Sequence, residues 1–363
     1  MARAMTDTAP RRHSRAGLYA PFILVGIALA AWTGWWFYLA SQVQGQVAAQ
    51  AAALRSSGWT VAYGKPSLSG WPFRLRAQAD AVSLKAPSGH ALAMPVLVAQ
   101  AGAWNPAKWV LLATDGLTVT RAGKGDVLIT GQAIRMSIHG LTQRWPNVAI
   151  ELARPVFTPR PGAEAFPIAR AELVQLYLRP HLAPAGTPGV ETSVDMLFRL
   201  VDADGRPDGP VQGMAQNGRL SAQIETVVER ADQLTGADAA GIFAAWTRAG
   251  GRFTHVRGEL KVGDGAAQST ATLSSERLSA QADGRLQGQI ALKAVRPLPA
   301  IAGLARSGSG SVNRLGAGAA AAGVAASSVL PGSPGENLDL TLVFRDGRTF
   351  LGPFALAPAP KLF

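Results

Sequence analysis

The sequence predicts a mainly β (α+β) protein. An N-terminal transmembrane helix and helical stalk are followed by large curved antiparallel sheets with a few packing helices and room for an open groove. Three observations predict this: one long uncharged apolar segment near the N-terminus, many short segments after it that alternate apolar and polar residues, and turn-forming pairs between them. With 40 Gly and 24 Pro in 363 residues, composition favours strands and turns over helical bundles, and 48% hydrophobic residues leave ample material for a core.

The first element is Leu18–Leu39, 22 residues without a charge. As a helix it measures about 33 Å at 1.5 Å per residue, enough to cross a hydrocarbon layer of roughly 30 Å. Arg3, Arg11, Arg12, His13 and Arg15 precede it, and the next basic residue is Arg55. Basic residues stay on the cytoplasmic side, so residues 1–17 read as a cytoplasmic tail and everything after residue 40 as periplasmic, on a bacterial inner membrane. Trp32, Trp35, Trp36 and Tyr38 gather at the outer end and read as the anchor's interfacial aromatic belt. A cleaved signal peptide is the competing reading. It fits less well, because the apolar stretch is too long and cleavage after Ala40 puts Tyr38 at the −3 position.

Residues 40–58 read as a stalk that continues the helix. Val43, Val47, Ala51 and Leu54 keep near-helical spacing, and Gly58 ends it. Residues 59–363 form the external β-rich domain, with 59–215 and 216–363 as candidate halves. Phe73–Ala81 alternates strictly for nine residues, the pattern of a strand with one dry and one wet face. Strands are likewise predicted at Gly116–Arg121, Val127–Ile138, Val148–Leu152, Leu173–Leu178, Ser193–Val201, Arg219–Val228, Gly251–Val262, Thr270–Leu273, Leu286–Val295 and Leu338–Phe344. Asp204-Gly205, Asp264-Gly265, Asp283-Gly284 and Asp346-Gly347 mark turns, the last in the clearest hairpin. Helices are predicted at Ala237–Ala249 and Leu298–Ala305. Residues 307–335 are rich in Gly, Ala, Ser and Pro and read as a flexible segment; within it, Ser307–Ser328 reads as either a loose helix or a loop. Arg-Leu-x-Ala-Gln occurs at Arg74–Gln78, Arg219–Gln223 and Arg277–Gln281. The unequal intervals make it a recurring strand pattern and not a solenoid repeat.

Chemistry-bearing motifs are sparse. The chain has no cysteine, which excludes disulfides, thiolate metal sites and cysteine nucleophiles. His13, His90, His139, His181 and His255 lie far apart without metal-ligand spacing, and no nucleophile elbow, phosphate loop or dinucleotide fingerprint occurs. Asp202-Ala203-Asp204-Gly205 with Asp208 superficially resembles a calcium loop, but the twelfth position is Gly213 where a carboxylate is needed; it reads as a polar hairpin turn. Residues 1–150 hold 14 Lys/Arg against four acids and residues 151–363 hold 21 against 19. The basic residues are scattered singly, which argues against nucleic acid as a partner. No catalytic residue, cofactor or metal is expected. The most distinctive local sequence is Gly70-Trp71-Pro72-Phe73-Arg74. Pro72 holds Trp71 extended, the two aromatics supply apolar area and Arg74 a charge, so Trp71, Pro72, Phe73 and Arg74 read as a pinned corner or one end of an apolar groove.

An N-terminal anchor, Gly58-Trp59, the Gly70–Arg74 corner, Ala245–Gly251 and the closing Leu351–Leu356 occur in that order, and together they resemble a proteobacterial envelope family filed as domain of unknown function 2125. The resemblance brings no assigned activity. The chain is also distantly similar to AsmA-like anchored envelope proteins, whose curved sheets form lipid-conveying grooves, an analogy of fold that does not carry function.

The expectation is a non-enzymatic envelope protein whose partners are the bilayer and a lipid or other apolar ligand. A scaffold that binds other envelope proteins, and an unrecognised hydrolase, stay open as alternatives.

Overall fold

The computed structural model describes residues 16–362 except 142, 144, 183–191, 217, 266–267, 308–311 and 329–336. Helix α1 (Ala16–Ser56) is one continuous rod of 41 residues that joins the apolar segment to the stalk, and it is long and apolar enough to cross a membrane. Every described side chain from Tyr19 to Ala31 is exposed. Beyond it, Trp36, Leu39, Ala40 and Ala51 are buried against the domain.

Twenty strands follow and join into one antiparallel sheet. The first group is β1 (Thr60–Ala62), β2 (Ser67–Ser69), β3 (Arg74–Lys85), β4 (Ala91–Gly102), β5 (Asn105–Ala113), β6 (Leu117–Arg121), β7 (Gly125–Thr130) and β8 (Ala133–His139). The second is β9 (Asn147–Ala153), β10 (Val156–Pro159), β11 (Ile168–Arg170), β12 (Leu173–Pro180), β13 (Val194–Gly205) and β14 (Leu220–Val228). The last is β15 (Arg252–Val262), β16 (Ser269–Ala280), β17 (Leu286–Val295), β18 (Asn337–Arg345), β19 (Arg348–Leu351) and β20 (Phe354–Pro358). Between them lie the short helices α2 (Pro210–Ala215), α3 (Ala244–Arg248), α4 (Leu298–Arg306) and α5 (Arg314–Ser328).

The pairing forks and closes again. Strand β4 pairs with β5 along Leu97–Gly102 and with β6 along Ala91–Ala93. One arm runs β5–β8–β9–β12 and the other β6–β7–β10–β11, and both end on β13. Side chains of both arms meet in a core: Ala113, Ile134 and Leu152 from the first, Ile129 and Phe157 from the second. From β13 the sheet continues as a plain meander to β20. Pairing therefore runs unbroken from β13 to β14, across the 215/216 point that separates the two candidate halves.

Several sequence expectations are corrected. Val127–Ile138 is two strands, because the chain crosses from one arm to the other at Gly131-Gln132. Asp204-Gly205 forms no hairpin turn; both residues end β13 and pair with β11. The helix expected over Ala237–Ala249 is confined to α3, since Gly236 and Gly241 hold the preceding chain in turns with positive φ. Of residues 307–335, Arg314–Ser328 is the helix α5, while 308–311 and 329–335 fall outside the described residues. The Asp346-Gly347 hairpin is present, with both residues at positive φ as a tight two-residue turn between twisted strands requires. The three Arg-Leu-x-Ala-Gln copies lie in β3, at the start of β14 and at the end of β16. Each places its leucine inside, at Leu75, Leu220 and Leu278, with an exposed arginine before it.

Candidate functional site

Residues paired across antiparallel strands point to the same side of a sheet, so the register shows what each face presents. One row runs Leu68–Ala77–Ala99–Leu111–Met136–Ile150–Leu176–Phe198–Ile224–Gly258–Leu273–Leu292–Leu340, from β2 to β18. It crosses 13 strands without one polar side chain. At about 4.8 Å per strand it is roughly 58 Å long.

Every residue in this row is half-buried, neither enclosed nor exposed. The rows on either side are covered. On one flank the second arm packs over Ala113, Ile134 and Leu152. Further along, Met214 of α2 and Ala300 of α4 pack over Leu200, Ala222 and Leu260. On the other flank α1 covers Leu75, Trp246 of α3 covers Val194 and Val228, and Ala359 covers Val256 and Leu278. The arrangement is a trough with an apolar floor between two packed banks. Its near end meets α1, where Leu68 packs against the cluster of Trp36, Leu39 and Leu75, and α5 lies over Leu340 and Leu342 at its far end.

From β8 to β18 the reverse face is polar. One strand position over, the row reads Arg135–Glu151–Gln175–Arg199–Gln223–Glu259–Thr272–Lys293–Asp339. Arg135 bonds Glu151 at 2.6 Å, and the Gln175 amide donates to the same carboxylate at 3.0 Å. A cleft of about 640 Å³ on this side is lined by Tyr177, Arg179, His181, Asp195, Glu225 and Arg257. Within it Asp195 lies 2.5 Å from His181 Nδ1 and accepts from Arg179 Nε at 3.0 Å. Among the described residues no three His, Asp or Glu side chains converge as a metal site would require.

The anchor aromatics and the Gly70–Arg74 corner, read separately from the sequence, meet in space. Trp32 Nε1 donates to the Pro72 carbonyl at 2.8 Å, Trp36 Nε1 to the Arg74 carbonyl at 2.8 Å, and Trp35 Nε1 to the Ala103 carbonyl at 3.4 Å. In return Trp71 Nε1 donates to Thr33 Oγ1 at 3.3 Å. The four aromatics of the expected belt therefore divide. Trp32 and Trp36 turn into the domain, Trp35 reaches Ala103 from an exposed position, and Tyr38, stacked on Trp35, stays exposed. The corner is tight, with a cis Trp71-Pro72 bond and the Arg74 amide donating to the Gly70 carbonyl at 2.9 Å. Gly70 has φ +102, and a Cβ there would lie 2.7 Å from the Arg74 carbonyl oxygen, so only glycine fits. Trp71, Phe73 and Arg74 stay exposed, and Trp104, which sequence reasoning did not single out, is exposed beside them with its ring against Gly102. A Gly-x-Trp spacing is its only sequence trace.

A long apolar N-terminal helix docked on an extended antiparallel sheet, with one apolar face and a reverse face polar from β8 onward, defines the class. Within it, the chain belongs to a family described as an uncharacterized protein conserved in bacteria, domain of unknown function 2125, whose match covers residues 36–360. The match begins at Trp36, the indole that docks α1 on the corner, and takes in every strand from β1 to β20. No curated protein and no solved structure matches the chain.

Proposed function

We propose that this is a non-catalytic protein anchored in the bacterial inner membrane by α1, with its N-terminus cytoplasmic, whose periplasmic trough holds and conveys the apolar part of a lipid or another envelope molecule. The unbroken 13-strand row is the observation that carries this reading. A closed core would bury such a row, and a surface strand would break it with polar residues. At roughly 58 Å the floor is several times the half-thickness of a hydrocarbon layer, about 15 Å, so it has room for whole acyl chains laid along it. The polar reverse face keeps the sheet soluble outside the membrane.

The test is a photo-crosslinking amino acid placed in the full-length chain in cells, at Leu176 or Phe198 on the floor and at Arg199 or Gln223 on the reverse face. Lipid adducts seen by mass spectrometry at the floor positions and not at the reverse ones support the proposal. Equal or no lipid labelling on the two faces overturns it. The cleft at Tyr177–Arg257, where Arg179, Asp195, Glu225 and Arg257 surround Leu197 and Val227, favours a second reading, a scaffold for other envelope proteins. Protein adducts confined to the reverse face would select it.

A further inference from the structure

We propose that Trp71, Phe73 and Trp104 form an interfacial wedge immersed in the bilayer leaflet on the domain's side, so that the near end of the trough opens at the lipid surface. This rests on the reading that α1 crosses a membrane. Arg15 and the basic residues before it stop the span at its inner end. Leu18–Ala31, the part of α1 beyond the reach of the domain, covers about 21 Å at 1.5 Å per residue, short of the roughly 30 Å of hydrocarbon. The missing 9 Å or so must come from Trp32–Leu39, the stretch on which the corner is docked.

The corner therefore shares the depth of that stretch. Trp71 bonds Thr33, six residues and about 9 Å below Leu39 along the helix axis. Trp71, Phe73 and Trp104 are 49%, 64% and 67% exposed, a concentration of large apolar side chains unexplained by packing within the chain. They form one surface: the Ala103 amide donates to the Phe73 carbonyl at 3.0 Å, and Trp35, itself exposed, donates to Ala103. Indole and phenyl rings favour the boundary between hydrocarbon and headgroups, and the exposed Arg74 and Arg76 that follow fit headgroup phosphates. The occupant of this patch is the bilayer itself. Leu68, the first residue of the trough floor, packs against the same cluster that holds Trp36 and Ala103.

The chain has no cysteine, so single cysteines report cleanly. Nitroxides are attached to Phe73→Cys and Trp104→Cys, to Gly26→Cys within the span and to Glu276→Cys on the remote β16, in the full chain reconstituted into phosphatidylethanolamine–phosphatidylglycerol vesicles. Collision with oxygen against a water-soluble nickel chelate then reads depth. The expected result is an oxygen preference at 73 and 104 several-fold above that at 276 and approaching that at 26. An oxygen preference at 26 with water-like values at 73 and 104 overturns the wedge and leaves the span intact. Water-like values at 26 overturn both. None of these labels lines the trough, so the outcome is independent of whether lipid occupies it.

Discussion

Replacing Trp36 with alanine should undock the anchor from the domain without unfolding the sheet. Trp36 is 5% exposed, packs beside Leu75, and donates its indole N–H to the Arg74 carbonyl at 2.8 Å. Removing a buried tryptophan costs about 3–5 kcal/mol, of which roughly 1 kcal/mol belongs to the hydrogen bond. At 1.36 kcal/mol per tenfold, the local opening of the corner should become about 160- to 4,700-fold more frequent. The amides that report this are Arg74, bonded to Gly70, and Ala103, bonded to Phe73. Their hydrogen exchange, measured in the reconstituted full chain, should accelerate by that order, while the amides of β15 and β16 keep their wild-type rates. Trp35→Ala is the internal comparison. That ring is 44% exposed and its bond is 3.4 Å long, so its loss should change exchange by no more than about tenfold. Acceleration below tenfold in Trp36→Ala, or equal effects of the two substitutions, would refute the docking argument.

Three further outcomes follow from single contacts. Gly70→Ala drives a Cβ onto the carbonyl oxygen that Trp36 uses, at a position with φ +102; it should destabilise the corner by about 1–3 kcal/mol and, in a double-mutant cycle with Trp36→Phe, prove non-additive in the same exchange measurement. Trp246→Ala empties a fully buried site whose indole donates to the Glu229 carbonyl at 2.6 Å, and should lower stability in urea by about 3–5 kcal/mol without affecting the corner. The Asp238 carboxyl is held below its ordinary 3.8 by the Ala240 amide first and by the Arg248 guanidinium second. A depressed carboxyl stabilises the fold above the ordinary value and loses that contribution as pH falls below it. Asp238→Asn should therefore flatten the decline in stability on acidification, read as thermal midpoints from pH 5 to pH 3.

The parts of this structure written in local sequence were legible. The long apolar helix with its stalk and most meander strands follow from charge-free length and period-two alternation, which are properties of one segment at a time. Strands β4 and β5 were not seen, because Ala-Leu-Ala-Met-Pro-Val-Leu-Val alternates nowhere: β4 buries Val98 on one face and Ala101 on the other. The trough was legible only as a surplus of one-sided strands. Its floor is a property of register between 13 segments, and nothing in Phe198 or Leu273 alone names its neighbour. The meeting of Trp32 and Trp36 with Pro72 and Arg74 was hidden for a different reason. An indole at the end of an apolar helix suits a headgroup layer and a protein carbonyl equally well, and sequence supplies no way to choose.

The fork between β4 and β13 has a consequence for how such a chain can vary. Ten strands close into a ring there, so a shift of one residue in any strand cannot be absorbed by the next; it must be cancelled before the circuit returns to β13. Any uncancelled slip would also exchange the two faces, turning Arg135 and Glu151 inward and Ile134 and Leu152 outward. A single-residue insertion or deletion in an arm strand therefore needs a compensating bulge, such as the one at Ile168–Arg170 where β11 meets β13. Length variation should collect in the connections between ring strands, such as the one between β10 and β11, where the chain can grow without altering the parity of either face.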